Sequence, residues 1–412
     1  MVDGPLIDRV AANDEQTQEN GQSKRGWHVA GWVAGVLMGV ALGSWCVVKA
    51  ATTGLLDLSV FRDAGYAMTH NLPLYSEQFP TTSGFRFIYP PFAAVLFAPM
   101  AAVSQVALQI GWSIGSLLLL WWILRTVCHR LHIRSSNWIA AAMLGPVLLL
   151  EPIRSNLEFG QINIALTALV IADCLEVLPR RLRGIGIGIA AGIKITPAAF
   201  GLVLLLRRDR AGAARALAAF AATVVIGFLA RPQESLYFWQ TEFFRTDRAG
   251  PHEFNRNQAL TGLLARLGAT GAVKDVLWIL GVTLIVAAAV VAGHRFTRSG
   301  MPVVATAVVA LAALLAAPMA VTHHWIYVVI LIPLLIAPQY RRWWPQLTAA
   351  TVVFAAGPHI ALPSRDATAA EAVIRHLIGN AQMITGGALL LGAVIAVRHL
   401  PGTPTQDRLT AR

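Results

Sequence analysis

Charge is scarce in this sequence: 13% of its 412 residues are Asp, Glu, Lys or Arg, against 56% that are hydrophobic. A water-soluble fold of this length could not bury that apolar excess, so the surplus must face lipid. Cysteine is scarcer still. Cys46, Cys128 and Cys174 all lie within or at the ends of apolar stretches, which argues against a disulfide framework or a zinc site. No Walker loop, Rossmann fingerprint or Ser-His-Asp pattern is present, so the common nucleotide-binding and hydrolytic classes find no support. Nor does the chain show the inverted repeat of many transporters, because the long polar segment containing Asp57 and Tyr89-Pro90-Pro91 has no counterpart in the second half. The formal net charge of +12 does not indicate nucleic acid, since the basic residues form short clusters between apolar stretches rather than one face.

What is present is a series of membrane-length runs. Trp27 to Ala50, Val106 to Leu124, Val276 to Gly293 and Pro302 to Val321 are each long enough to cross a bilayer core. The whole reads as an all-α polytopic membrane protein with about 11 to 13 transmembrane helices. Residues 1–25 are polar and read as a disordered cytoplasmic tail, 26–400 as the membrane domain and 401–412 as a second cytoplasmic tail. The first apolar run is too long, and starts too late, for a cleaved signal peptide. Basic clusters at Arg125, Arg130 and Arg134, at Arg180, Arg181 and Arg183, at Arg207, Arg208 and Arg210, at Arg295 and Arg298, at Arg341 and Arg342, and at Arg398 recur at the ends of alternate crossings. The positive-inside rule makes those ends cytoplasmic, and both termini with them. Gly184 to Leu206 has a basic cluster at each end, which a single crossing cannot accommodate. A hairpin of two short helices, broken near Lys194 and Pro197, keeps both inside, and such breaks are tolerated where they line a cavity.

This topology leaves five segments outside: Ala51 to about Ser104, Glu151 to Gln161, Arg231 to about Lys274, Thr322 to Trp325, and Ile360 to about His376. Asp57, alone among apolar neighbours just beyond the first crossing, is either a general base or a helix cap. Lys194 is either a site residue or half of a buried pair with Glu158 or Glu151. His323 and His324 are adjacent, so on a helix they project about 100° apart and are poorly placed to share one metal ion; the bland alternative is an interfacial turn beside Trp325. Glu158, Gln161 and Asn163 could bind sugar hydroxyls or cap a helix. Trp239, Phe243 and Phe244 suit the membrane interface better than a sugar ring.

Several of these residues fall in ordered motifs. Asp57-Leu58-x-Val60-Phe61-Arg62-Asp63-Ala64, Pro73-Leu74-Tyr75 and Phe87-Ile88-Tyr89-Pro90-Pro91-Phe92 together resemble the first extracytoplasmic loop of glycosyltransferase family 87. Four later segments agree with it: Asn156 to Asn163, Gly192 to Pro197, Asn255 to Leu260, and Thr322-His323-His324-Trp325. The resemblance runs from Asp57 to Pro338. One departure is Ala317-Pro318-Met319-Ala320-Val321-Thr322, which replaces the lead-in usual before the His pair.

The resemblance implies a GT-C fold whose extracytoplasmic loops form the active site. It also implies transfer of mannose from polyprenyl-phosphate mannose to an envelope glycolipid or lipoglycan, inverting, α-1,2-linked and without a metal or other cofactor. Membrane lipids are the remaining partners, and no nucleic acid is expected. Within the family the chain is most similar to the α-mannosyltransferases that act on phosphatidylinositol mannosides. An arabinofuranosyltransferase using a polyprenyl-phosphate arabinose donor is the alternative of the same fold, and a lipid or sugar flippase the alternative of another class. Carried onto this sequence, Asp57 is the catalytic base. Lys194 and His324 hold the donor phosphate, with His323, Arg62 and Arg256 behind them, while Glu158, Gln161, Asn163, Tyr89 and Asn257 contact the sugar or the acceptor.

Overall fold

A computed structural model describes residues 30–248, 250–361 and 368–400; the two tails read from the sequence lie outside them. Among the described residues the regular structure is helical, apart from one isolated bridge between Asn257 and Val321. Five helices are long and apolar enough to cross a bilayer: Ala30–Thr53, Gln105–Arg130, Arg210–Ala230, Gly271–Arg298 and Ala381–His399. Two further pairs are sharply bent, Ser136–Leu148 with Glu151–Phe159 by 86° and Thr322–Ile336 with Pro338–Ala356 by 110°. Four shorter apolar helices, Pro91–Ala102, Asn163–Cys174, Thr196–Leu206 and Pro302–Ala316, complete the apolar set. The long helices turn large apolar side chains outward, with Leu37, Leu118, Leu229 and Leu284 all more than half exposed. In water that surface would drive aggregation; against lipid it is neutral. The chain is a multi-pass membrane protein.

The predicted break at Lys194 is present. Helix Ile185–Ile193 ends at Lys194, whose backbone is extended (φ −148°, ψ 128°), and the chain resumes as the tight turn Thr196–Phe200 and helix Gly201–Leu206. Pro197 opens that turn, where its missing N–H costs nothing. The two legs return to one place: Arg183 and Arg207 both reach Glu176 Oε1, at 3.2 and 3.6 Å, and Arg130 donates to the Glu176 carbonyl at 2.8 Å. Three basic clusters therefore meet at one end of the bundle, as a hairpin requires, and Lys194 stands at the other. Asp173 fixes the first leg, accepting from the Gly184 and Ile187 amides at 2.8 Å each and so satisfying donors that the helix start would leave unpaired. Gly188 and Gly192 let this leg approach helix Arg210–Ala230, since a side chain at either would collide with Ala216 or Thr223.

The segment 51–104 folds on itself around aromatic rings. Phe61, from helix Leu56–Thr69, stacks on Phe97 at 4.7 Å and meets Tyr89 edge-on at 5.4 Å. Tyr75 lies 5.9 Å from Phe87 and donates its hydroxyl to the Tyr89 carbonyl at 2.7 Å. The three motifs of this segment are thus one packing unit. Asp63 anchors the loop over it, accepting from the Thr82 amide at 2.7 Å and hydroxyl at 2.9 Å.

Candidate active site

Several of the segments between the apolar helices converge on a cavity of about 1030 Å³. Its polar end carries Asp57, Tyr89, Gln161, Lys194, His323 and His324; its apolar end is walled by helices Thr196–Leu206, Gly271–Arg298 and Pro302–Ala316. A second cavity of about 200 Å³ around Trp325 is almost wholly apolar and offers no comparable chemistry.

Asp57 is not a helix cap. The cap position is Leu55, no side chain fills the capping role, and Asp57 stands two residues further on in the first turn. There the unpaired amides of the helix start favour a carboxylate, while the cavity wall dries it. Burial pushes the Asp57 carboxyl up to about 6, against a hydrogen bond from Gln161 and the charge of Lys194, which both pull it down. Gln161 can serve both neighbours, because its Oε1 accepts from the Tyr89 hydroxyl at 3.3 Å and leaves its amide N–H groups for Asp57. Gly160 makes the close approach feasible. Its φ of +69° ends helix Glu151–Phe159, and a Cβ there would lie 2.8 Å from the Leu58 Cβ and 2.9 Å from the Leu55 Cβ.

Lys194 pairs with neither Glu158 nor Glu151. Its Nζ donates to Asn163 Oδ1 and to His324 Nε2, both at 2.9 Å, and lies 5.5 Å above the Tyr89 ring. An ammonium can only donate, so beside protonated Lys194 the imidazole of His324 accepts at Nε2 and keeps its own proton on Nδ1. Asn163 and Asn156 also donate to the His323 carbonyl, at 3.3 and 2.6 Å, which locks the histidine turn to helices Asn163–Cys174 and Glu151–Phe159. The two imidazole planes stand 86° apart. Arg256 lines the same cavity, 5.3 Å from the centre of the Phe159 ring, and is held from behind by Glu151 at 3.7 Å, Ser155 at 3.2 Å and Thr322 at 3.5 Å.

Four expected residues do not line the cavity, and the first of them, Asn163, stands behind it and holds Lys194. Arg62 donates to the Val103 carbonyl at 3.3 Å on another side of its helix and does not line the cavity. Glu158 is tied to Lys49 of the first spanning helix at 2.8 Å. Asn257 is fully buried; its Nδ2 donates to the His252 carbonyl at 2.9 Å and its Oδ1 accepts from the Ala320 amide at 3.2 Å, which is a scaffold role. Conversely, Phe243, read from the sequence as an interface residue, lines the cavity, as do Phe159, Arg86, Arg245 and Arg248, which no motif contains except Phe159. Trp239 packs edge-on to Phe238 at 5.1 Å, and Phe244 is exposed.

The family model for Glycosyltransferase family 87 matches residues 87–318. A protein of Mycolicibacterium smegmatis, named polyprenol-phosphate-mannose-dependent alpha-(1-2)-phosphatidylinositol mannoside mannosyltransferase, is 34% identical over 382 residues, covering 85% of this chain and 86% of its own. This chain belongs to glycosyltransferase family 87. A Mycobacterium tuberculosis protein of the same name is 35% identical over 328 residues, covering 74% and 76%. A Mycolicibacterium smegmatis protein named for transfer to phosphatidylinositol pentamannoside is 30% identical over 264 residues, covering 64% and 63%. No solved structure matches the chain. Membership of family 87 makes the protein a glycosyltransferase and sets the flippase reading aside. The matched stretch contains all the cavity cations named above except Arg86, which lies one residue before it, while Asp57 precedes it by thirty residues.

Proposed function

We propose that this glycosyltransferase moves mannose from polyprenyl-phosphate mannose to a phosphatidylinositol mannoside or related lipoglycan on the extracytoplasmic side of the membrane. The observation that carries the mechanism is that, among the described residues, Asp57 is the only carboxylate lining the cavity, within reach of the Lys194 charge. Asp57 takes the proton of the acceptor hydroxyl, whose oxygen bonds to the anomeric carbon as the bond from that carbon to the phosphate oxygen breaks. The electron pair leaves with polyprenyl phosphate, and Lys194, His324 and Arg256 supply the donors and charge that hold it. Attack opposite the departing phosphate inverts the centre, so a β-linked donor gives an α-mannoside. The apolar end of the cavity, with Leu202, Val286 and Val309, suits the polyprenyl chain, and Phe159 and Tyr89 offer aromatic faces to sugar rings.

The donor is tested with membranes supplied in parallel with labelled polyprenyl-phosphate mannose and polyprenyl-phosphate arabinose, with a phosphatidylinositol mannoside as acceptor. The expected result is an α-mannosylated lipid, linked α-1,2, from the first donor alone. Product from the arabinose donor alone would reject the mannosyl reading and keep the fold, and a β-mannoside would reject the single displacement.

A further inference from the structure

Beyond the motif cations, Arg248 lines the cavity from the segment that follows the tight turn Glu242–Phe244. Its Nη1 donates to the Glu242 carbonyl at 2.9 Å, and its guanidinium carbon lies 5.9 Å from the centre of the Phe238 ring. Phe238 packs on Tyr75 at 5.6 Å, Tyr75 donates to the Tyr89 carbonyl at 2.7 Å, and Tyr89 faces Lys194 Nζ at 5.5 Å. Arg248 and Lys194 line the same cavity, and the charge of Arg248 acts on both Lys194 and Tyr89. The other two arginines that the motifs omit are already paired, Arg86 with Glu77 at 3.4 Å and Arg245 with Glu242 at 3.5 Å. Arg248 makes no ion pair among the described residues. A guanidinium held by a carbonyl and a ring, half withdrawn from water and drawn to the Glu242 carboxylate only at longer range, keeps donors to give to an incoming anion. Two cations of unlike shape that line one cavity can share a phosphate: the lysine as a point charge, the arginine as a planar fork.

We propose that Arg248 is a phosphate-binding residue of the donor site, holding the polyprenyl-linked phosphate together with Lys194 as its charge grows during transfer. The inference rests on the reading that the donor is a polyprenyl-phosphate sugar. An acceptor phosphodiester is the other source of the same chemistry, and the measurement separates the two. The full chain in lipid nanodiscs is titrated with polyprenyl phosphate, with the uncharged polyprenol and with phosphatidylinositol, as wild type, Arg248→Gln and Arg248→Lys. Loss of a charge-assisted pair should weaken polyprenyl phosphate binding by about 10-fold or more in Arg248→Gln. Polyprenol and phosphatidylinositol binding should change less than about twofold, within the range of surface substitutions, and Arg248→Lys should recover part of the loss. Unchanged polyprenyl phosphate binding overturns the proposal, as does an equal loss for polyprenol or a loss confined to phosphatidylinositol. A wild type that binds polyprenyl phosphate yet transfers no mannose refutes the mannosyl reading alone, because the binding comparison still decides the role of Arg248.

Discussion

At the scale of single residues the account turns on how Asp57 is kept basic. Its carboxyl, raised to about 6 from an ordinary 3.8, is ionised at neutral pH and a stronger base than a solvated aspartate. The transfer rate should therefore climb through about pH 6; a profile flat from pH 5 to 7, measured under single-turnover conditions, would deny Asp57 this role. Stability runs the other way. The folded state holds the proton more tightly than the unfolded chain, so the contribution of Asp57 is complete below about pH 4 and is lost as pH rises through about 6. Asp57→Asn should lack that step, and comparing the thermal unfolding of wild type and variant at pH 4 and pH 8 checks it. The sequence showed Asp57 as a lone carboxylate but left cap and base open, because only the helix start, at Leu55 rather than Asp57, distinguishes them. Arg62 was misplaced for a reason the sequence did contain. Five residues on a helix carry it about 140° round from Asp57, so both could not face one cavity. For Arg248 no comparable signal existed, since a chain of ring contacts through Phe238, Tyr75 and Tyr89 brings it to the site.

At the scale of elements, the hairpin positions the chemistry. Helix Asn163–Cys174 grips it at two points: Asp173 binds the amides at the start of Ile185–Ile193, and Asn163 binds Lys194 just beyond its end. Asp173→Ala leaves those buried amides unpaired, at a cost of roughly 1–3 kcal/mol. It should lower the unfolding temperature and also lower kcat, because Lys194 loses its register. Lower stability with an unaltered kcat would show that Asn163 and His324 suffice to place Lys194. The break itself was legible in the sequence from two basic clusters that had to share a side, together with Lys194 and Pro197 between them. The grip was not, because Asp173 sits in an apolar run where nothing local distinguishes a helix clamp from an isolated charge. The count of crossings likewise reflects elements rather than hydropathy. Apolar runs of similar content become long helices, bent pairs or short helices according to where proline and glycine interrupt them, as at Pro146, Gly160 and Pro338.

For the whole molecule, the basic clusters gathered at Glu176 and the cavity at Lys194 occupy opposite ends of the hairpin. We propose that these ends lie on opposite sides of the membrane, the cavity outside. Cysteine placed at Gln78, in the first outer segment, should react with an impermeant maleimide in intact cells, whereas cysteine at Ser299, beside Arg295 and Arg298, should react only after permeabilisation; the reverse pattern would invert the topology. Of the native cysteines Cys128 and Cys174 are buried and Cys46 is half-buried, so a Cys46→Ser background removes the accessible one. Motif order grouped Asp57, Lys194 and His324 as one expected site, but their convergence on one cavity depends on how the helices pack. Which other side chains reach it was settled by packing, which sends Asn257 and Glu158 into the scaffold and brings Phe243 in.

The most direct test of the central claim is single-turnover transfer from labelled polyprenyl-phosphate mannose by membranes holding wild type or Asp57→Asn at equal folded amounts. Removing a general base should lower the rate by about 10²-fold or more with donor binding retained. A variant that transfers mannose at the wild-type rate would contradict the account, because among the described residues no other carboxylate lines the cavity to accept the proton.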